Sequence, residues 1–214
     1  YATSVEELVA GPFLAATGAT QEAFHGAGRE DIDARCLGRG RPFILELKDP
    51  RVRTLDLARF PDLVATHAGG RVEVDELRLA DKSEVVAIKE HRGSKTYRAR
   101  TRFASPVAPD ALAEAVEALR GRTVHQRTPQ RVEHRRGDLV RERRVLDLAV
   151  EDHAGDRATL RVHGDAGLYI KELVSGDEGR TDPSLAALLG VEARVEELDI
   201  IDVEYEPPAS SPAA

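Results

Sequence analysis

The sequence predicts an α+β protein built on a large, mostly antiparallel sheet. Three observations carry that reading. Strand-type runs dominate the 214 residues, with apolar and polar positions alternating as half-buried strands require. Helical spacing occurs at only three separated points, which gives an α+β pattern. No short-period repeat is present, and strand-rich halves on either side of residue 105 point to two lobes, roughly 1–105 and 106–206.

Each element has a local reason. "SVEELVAGPFLAAT" begins at Ser4 and has Glu7 three residues later, the capping-box spacing that opens an amphipathic helix. "HGAGREDIDARCLGRGRPFILEL", residues 25–47, crowds Glu30, Asp31, Asp33 and several arginines among four glycines. Its end, "PFILEL", reads as a strand. "GGRVEVDELRLADKSEVVAIKEH" contains two or three β-type runs broken at Asp81–Lys82. "SKTYRARTRF" alternates cleanly, with Thr96, Arg98, Arg100 and Arg102 on one side and Tyr97, Ala99, Thr101 and Phe103 on the other. "SPVAPDALAEAVEALRG" is the clearest helix: Pro109 near its start, Leu112, Val116 and Leu119 at helical spacing, and Gly121 as its stop. The following basic stretch contains Pro129 and reads as loop plus strand. Residues 139–174 read as strands separated by turns at Gly155 and Gly164. "TDPSLAALLG" is a short helix with Asp182 or Thr181 as cap, Pro183 in its first turn and Gly190 after its end. "RVEELDIIDVEY" is a last strand, and residues 207–214 read as a disordered tail.

Composition narrows the function. There are 38 acidic and 31 basic residues, of which only five are lysine (Lys48, Lys82, Lys89, Lys95 and Lys171). An acidic, lysine-poor surface suits a cytoplasm of very high salt, although a GC-rich genome also favours arginine. The net charge of −7 hides a strong asymmetry: Arg120 to Arg144 holds nine arginines against Glu133, Asp138 and Glu142, so this segment carries +6 and the remainder −13. Such asymmetry marks an interaction surface, and the planar fork of arginine suits phosphate. RNA or another polyanion is the expected partner.

No run of 18 apolar residues exists, so no membrane span is expected, and the N-terminus lacks the marks of a signal peptide. The lone Cys36, with no CxxC anywhere, excludes a disulfide framework or a cysteine zinc site and points to a cytoplasmic protein. Cys36 itself is expected to be a small buried hydrophobe. Methionine is absent even at position 1, which reads as a piece of a longer protein.

Four groups of residues could do chemistry. Asp31 can act as nucleophile, general base or metal ligand, or simply as a turn residue. Glu30, Asp31 and Asp33 together could hold Mg²⁺, but the spacing lacks the further oxygen ligands of a calcium loop. Tyr97, flanked by Lys95, Arg98 and Arg100, suits a flipped base, with the ring stacking while cations hold phosphate. It could equally pack on a sheet face. Lys171 follows the apolar run Leu168-Tyr169-Ile170; if buried, it needs a carboxylate partner.

These stretches, taken in order, resemble one family. "GREDIDARCLGRGRPFILEL", "KTYRA", "HQRTPQRVEHRR" and "GLYIKELVSGDEGRTDPSL" are similar to motifs of the archaeal and eukaryotic tRNA pseudouridine synthases acting on uridines 54 and 55 of the TΨC arm, and the likeness runs from about residue 4 to residue 206. The resemblance implies the pseudouridine synthase fold, a two-lobed, mixed but mostly antiparallel sheet with flanking helices and a central cleft. It implies Asp31 as the essential catalytic residue, with Arg29 entering the space left by the flipped uridine or holding its phosphate. Tyr97 would stack on the target base, Lys171 would pair with Asp31, Leu173 would pack beneath the base, and Asp33 would be structural. Arg127, Arg131, His134, Arg135 and Arg136 would contact RNA. tRNA is the implied partner, with no metal, no small-molecule cofactor and no membrane. The family's N-terminal zinc and RNA-binding domain has no match here, so the expectation is a catalytic domain alone. Two rivals stand: a non-catalytic RNA-binding module using residues 120–144 and Tyr97, and a metal-dependent nuclease using Glu30, Asp31 and Asp33.

Overall fold

A computed structural model of the chain describes residues 2–29 and 32–205, apart from the side chain of Arg135. The expected tail at 207–214, and both Glu30 and Asp31, lie outside the described residues. The elements in chain order are α1 (Val5–Thr17), β1 (Gln21–Gly26), β2 (Ala34–Cys36), β3 (Phe43–Lys48), α2 (Phe60–Ala68), α3 (Lys82–Glu90), β4 (Lys95–Phe103), α4 (Pro109–Leu119), β5 (Thr123–Arg127), β6 (Val140–Ala154), β7 (Arg157–Gly164), α5 (Ile170–Ser175), β8 (Thr181–Asp182), α6 (Leu185–Leu189) and β9 (Ala193–Val203).

The chain divides into two compact units. The first takes residues 2–28 and 42–91. Here α1 carries the predicted capping box, with Ser4 Oγ accepting from Glu7 N–H and the Glu7 carboxylate accepting from Ser4 N–H. β1 and β3 form an antiparallel pair. Val9 and Phe13 of α1 and Phe60 and Val64 of α2 make a core that also collects Phe24, Phe43, Leu45 and Leu47. Phe13 stacks on Phe60 with ring centroids 4.1 Å apart, an arrangement that adds roughly 0.5–1.5 kcal/mol beyond burial.

One expectation fails in this unit. Residues 70–81 form no strand, and the break at Asp81–Lys82 is the start of α3. The Asp81 carboxylate accepts from the N–H groups of Ser83 and Glu84, and Glu84 accepts in return from Asp81 N–H. Arg78 adds an ion pair to Glu84 and holds that carboxyl below its usual range. The β-branched Val85 and Val86 read as strand, but the capping box decides locally.

The second unit takes residues 29, 32–41 and 92–205. Its sheet has seven strands in the order β2-β9-β4-β7-β6-β5-β8. Among the described residues, only β2 on β9 is parallel; the other pairs are antiparallel. The expected α+β class with a mostly antiparallel sheet therefore holds. β4, on the N-terminal side of residue 105, belongs to this second unit because it is hydrogen-bonded between β7 and β9. Alternation along β4 buries Tyr97, Ala99, Thr101 and Phe103, as predicted, and Lys95 with them.

α4 buries Leu112, Val116 and Leu119 as its spacing predicts, each contributing roughly 1.5–3 kcal/mol. Cys36 is exposed on β2, an edge strand, and is not the buried hydrophobe expected. That edge is fixed by Gly38, whose φ of +64° and whose contact with Ile201 leave no room for a side chain: a Cβ would lie 2.2 Å from the Ile201 carbonyl oxygen. Two details near the C-terminal end also differ. Residues 170–175 turn as a short helix where a strand was expected, and Ser184, not Asp182 or Thr181, caps α6, accepting from Ala187 N–H. Gly190 closes α6 as predicted.

Candidate active site

The second unit contains a cavity of about 290 Å³. β4 supplies Lys95 and Tyr97 to its wall and β9 supplies Leu198; the connection between β5 and β6 supplies Arg131, Val132 and Arg136; residues 167–171 and Arg29 complete it. Arg29, Tyr97 and Lys171, distant in sequence, thus share one cavity.

Tyr97 is there because β4 alternates. Its register places it opposite Val162 of β7 and Ile200 of β9, and it is only 2% exposed. Lys95, two residues earlier on the same face, is also buried. The Gly167–Lys171 segment reaches the cavity through a tight turn. Gly164 ends β7, and a Cβ there would lie 2.3 Å from Leu168 Cδ2, so glycine is what lets Leu168 sit where it does. Tyr169 is then held by its backbone: its N–H donates to Gln126 Oε1 at 2.8 Å, and Gln126 Nε2 donates to its carbonyl at 3.0 Å. Gln126 is fully buried, and these two bonds satisfy the amide that would otherwise be costly to enclose. Arg136 Nη1 donates to the Tyr169 phenol at 3.0 Å.

Lys171 Nζ donates to both carboxylate oxygens of Asp33, at 2.7 and 2.9 Å; the expected partner, Asp31, lies outside the described residues. The hydrogen bond from Lys171, its positive charge and that of Arg131 hold the Asp33 carboxyl below the usual aspartate value. Asp33 is thereby ionised and committed to an ammonium.

Leu173 is 1% exposed within α5 but is not among the cavity's lining residues. The apolar wall comes from Val132, Leu168, Ile170 and Leu198 instead. The basic segment is also more occupied than its charge implies. Arg127 forks onto Asp138, raising its own affinity for its proton and lowering the Asp138 carboxyl. Arg131 forks onto Glu172 at 2.6 and 3.2 Å. Arg180 binds the Thr128 carbonyl, Asp138 and Glu133. His134 and Arg136 are exposed, and Arg135 is described only by its backbone, in a 3₁₀ turn over Gln130–Arg135.

Among the described residues, five cationic side chains (Arg29, Lys95, Arg131, Arg136 and Lys171) and two tyrosines line the cavity, with no acidic side chain. Such a lining suits an anionic ligand with a flat, stackable part. The family model described as "Pus10, C-terminal" matches residues 1–204. The chain belongs to the Pus10 C-terminal family.

The protein named tRNA pseudouridine synthase Pus10 from Halorubrum lacusprofundi is 50% identical over 206 residues, 96% of this chain and 48% of that protein. The proteins of the same name from Methanothrix thermoacetophila and Archaeoglobus fulgidus are 51% and 48% identical, covering 98% and 95% of this chain and 46% and 56% of theirs. The chain therefore spans about half the length of these curated relatives. Among solved structures, a chain from the crystal structure of a Cbf5-Nop10-Gar1 complex aligns with a TM-score of 0.59 at 19% identity, over 94% of this chain and 45% of that one. A chain from the archaeal box H/ACA sRNP Nop10-Cbf5 complex gives 0.51 at 15%, over 92% and 43%. At these identities the likeness is one of fold.

In this Pus10 C-terminal chain, sequence reasoning missed Gln126, Tyr169 and Glu172 as site residues and named Lys95 only as a cation flanking Tyr97. Lys95 was on view in the alternation of β4, one step from Tyr97 on the same face. Gln126 shares the buried face of β5 with Val124, two residues before it. Glu172 had no sequence signal, since its partner is 41 residues away. Among the described residues, no helix is long and apolar enough to cross a membrane.

Proposed function

We propose that this chain is the catalytic part of a tRNA pseudouridine synthase that isomerises uridine 54, uridine 55 or both in the TΨC arm, using Asp31 and no cofactor. The observation that carries the reading is the single cavity shared by Arg29, Tyr97 and Lys171 in a chain of the Pus10 C-terminal family. In the reaction the glycosidic N–C bond breaks, the uracil turns, and a C–C bond forms at the same sugar carbon, with no net redox change. Asp31 attacks the sugar or acts as a base at its neighbouring carbon.

Each part of the cavity has a task in that scheme. Taking a uridine from its stack costs a few kcal/mol, and stacking on an aromatic face returns roughly 1–3 kcal/mol; Tyr97 supplies that face. Arg29 and Arg136 meet backbone phosphates. Lys171 keeps a nearby carboxylate ionised. Pairing of Lys171 with Asp33 leaves Asp33 the structural role that the motif assigns it.

The test uses the full-length protein carrying this chain and an unmodified tRNA transcript at high salt. Pseudouridine mapped at position 54 or 55 is the expected result. Strand cleavage that stops on chelation would replace the reading with a nuclease. Tight tRNA binding with no pseudouridine formed would replace it with an RNA-binding module.

A further inference from the structure

Arg131 was read from the sequence as an RNA contact, but its guanidinium is already engaged. Its Nε and Nη2 reach the two oxygens of Glu172, whose side chain is 5% exposed. Arg131 sits in the 3₁₀ turn at Gln130–Arg135. That turn is fastened a second time to the stretch after α5, where Gln130 N–H donates to Asp177 at 3.1 Å and Gln130 Nε2 to Glu178 at 3.0 Å. Glu172 follows Lys171 directly in α5, a helix of six residues with no side-chain N-cap. A helix that short has no stability of its own and takes its pose from tertiary contacts.

We propose that Arg131 is a positioning residue rather than a phosphate contact: its fork on Glu172 fixes the pose of α5 and thereby aims Lys171 into the cavity. Two parallel hydrogen bonds between planar groups constrain rotation as well as distance, which a single lysine contact does not. The basic connection then serves two ends. Arg136 reaches the Tyr169 phenol, while Arg131 is spent on Glu172 and couples the connection to the catalytic helix. The proposal rests on the functional reading above.

The test measures, in the full-length protein, the single-turnover rate at saturating protein and the salt dependence of affinity for an unmodified tRNA transcript. Arg131→Gln should slow single turnover on the order of tenfold to a hundredfold, the penalty of about 1 Å of misplacement, with an unchanged salt slope. Glu172→Gln should slow it comparably. The double variant should be no slower than Arg131→Gln alone, because both changes break one interaction. Arg131→Lys, which keeps the charge and is gentler to folding, should also be slow with an unchanged slope. A salt slope lowered by about 0.7–0.9 with an unchanged single-turnover rate would make Arg131 a phosphate contact and overturn the proposal alone. A wild-type protein that makes no pseudouridine would overturn the functional reading and the proposal with it.

Discussion

Lys171 and Glu172 are neighbours in α5, yet their ion pairs are of opposite kinds. Glu172 is enclosed and meets Arg131 through a two-bond fork. Lys171 meets Asp33, whose side chain is 59% exposed. Burial, more than charge, separates a fixture from an exchangeable contact. An enclosed pair that loses one partner leaves an uncompensated charge in low dielectric. An exposed pair is worth about 0–1 kcal/mol and trades partners readily. A site needs both: a frame that does not move and a cation that can meet an incoming substrate.

The comparison breaks most easily at Arg131. Arg131→Gln is expected to lower unfolding free energy by about 3–5 kcal/mol, the cost of a stranded buried carboxylate, read from the midpoint of denaturant unfolding. A change no larger than that of a surface pair would show the Glu172 site to be open to water.

Asp33→Asn is expected to cost under about 1 kcal/mol by the same assay. Its pH dependence sharpens the contrast. Because Lys171 lowers the Asp33 carboxyl, the stabilisation is fully present above the ordinary aspartate value near 4 and is lost as pH falls through the folded value. Wild type and Asp33→Asn should therefore differ by a constant amount between about pH 5 and 7 and converge below about pH 4. A gap that widens on acidification would contradict the assignment.

The smallest effect is expected at Arg136, exposed and bound to the Tyr169 phenol. Arg136→Gln should leave stability within about 0.5 kcal/mol and reduce the salt slope of tRNA binding by about 0.7–0.9. An unchanged slope would remove Arg136 from the RNA face.

Much of this arrangement was legible in the sequence, and the exceptions have physical causes. β4 and α4 were clear because one period governs each from end to end. α3 and α5 were hidden by β-branched or apolar runs too short to display a helical period. The gathering of Arg29, Tyr97 and Lys171 came from motif resemblance and not from periodicity. Counting arginines along residues 120–144 gave a charge but not its disposition. Arg127 and Arg131 are spent on Asp138 and Glu172, and only the fold reveals which acids stand beside them. The same holds for Arg98, Arg100 and Arg102 of β4, which meet Glu151, Glu197 and Asp156 across the sheet.

The most direct measurement is single-turnover pseudouridine formation by Asp31→Asn in the full-length protein, with tRNA affinity determined on the same preparation. The expected result is tRNA bound as by the wild type and no pseudouridine formed. Pseudouridine formed at the wild-type rate would show that the reacting carboxylate is not Asp31 and would contradict the proposed chemistry.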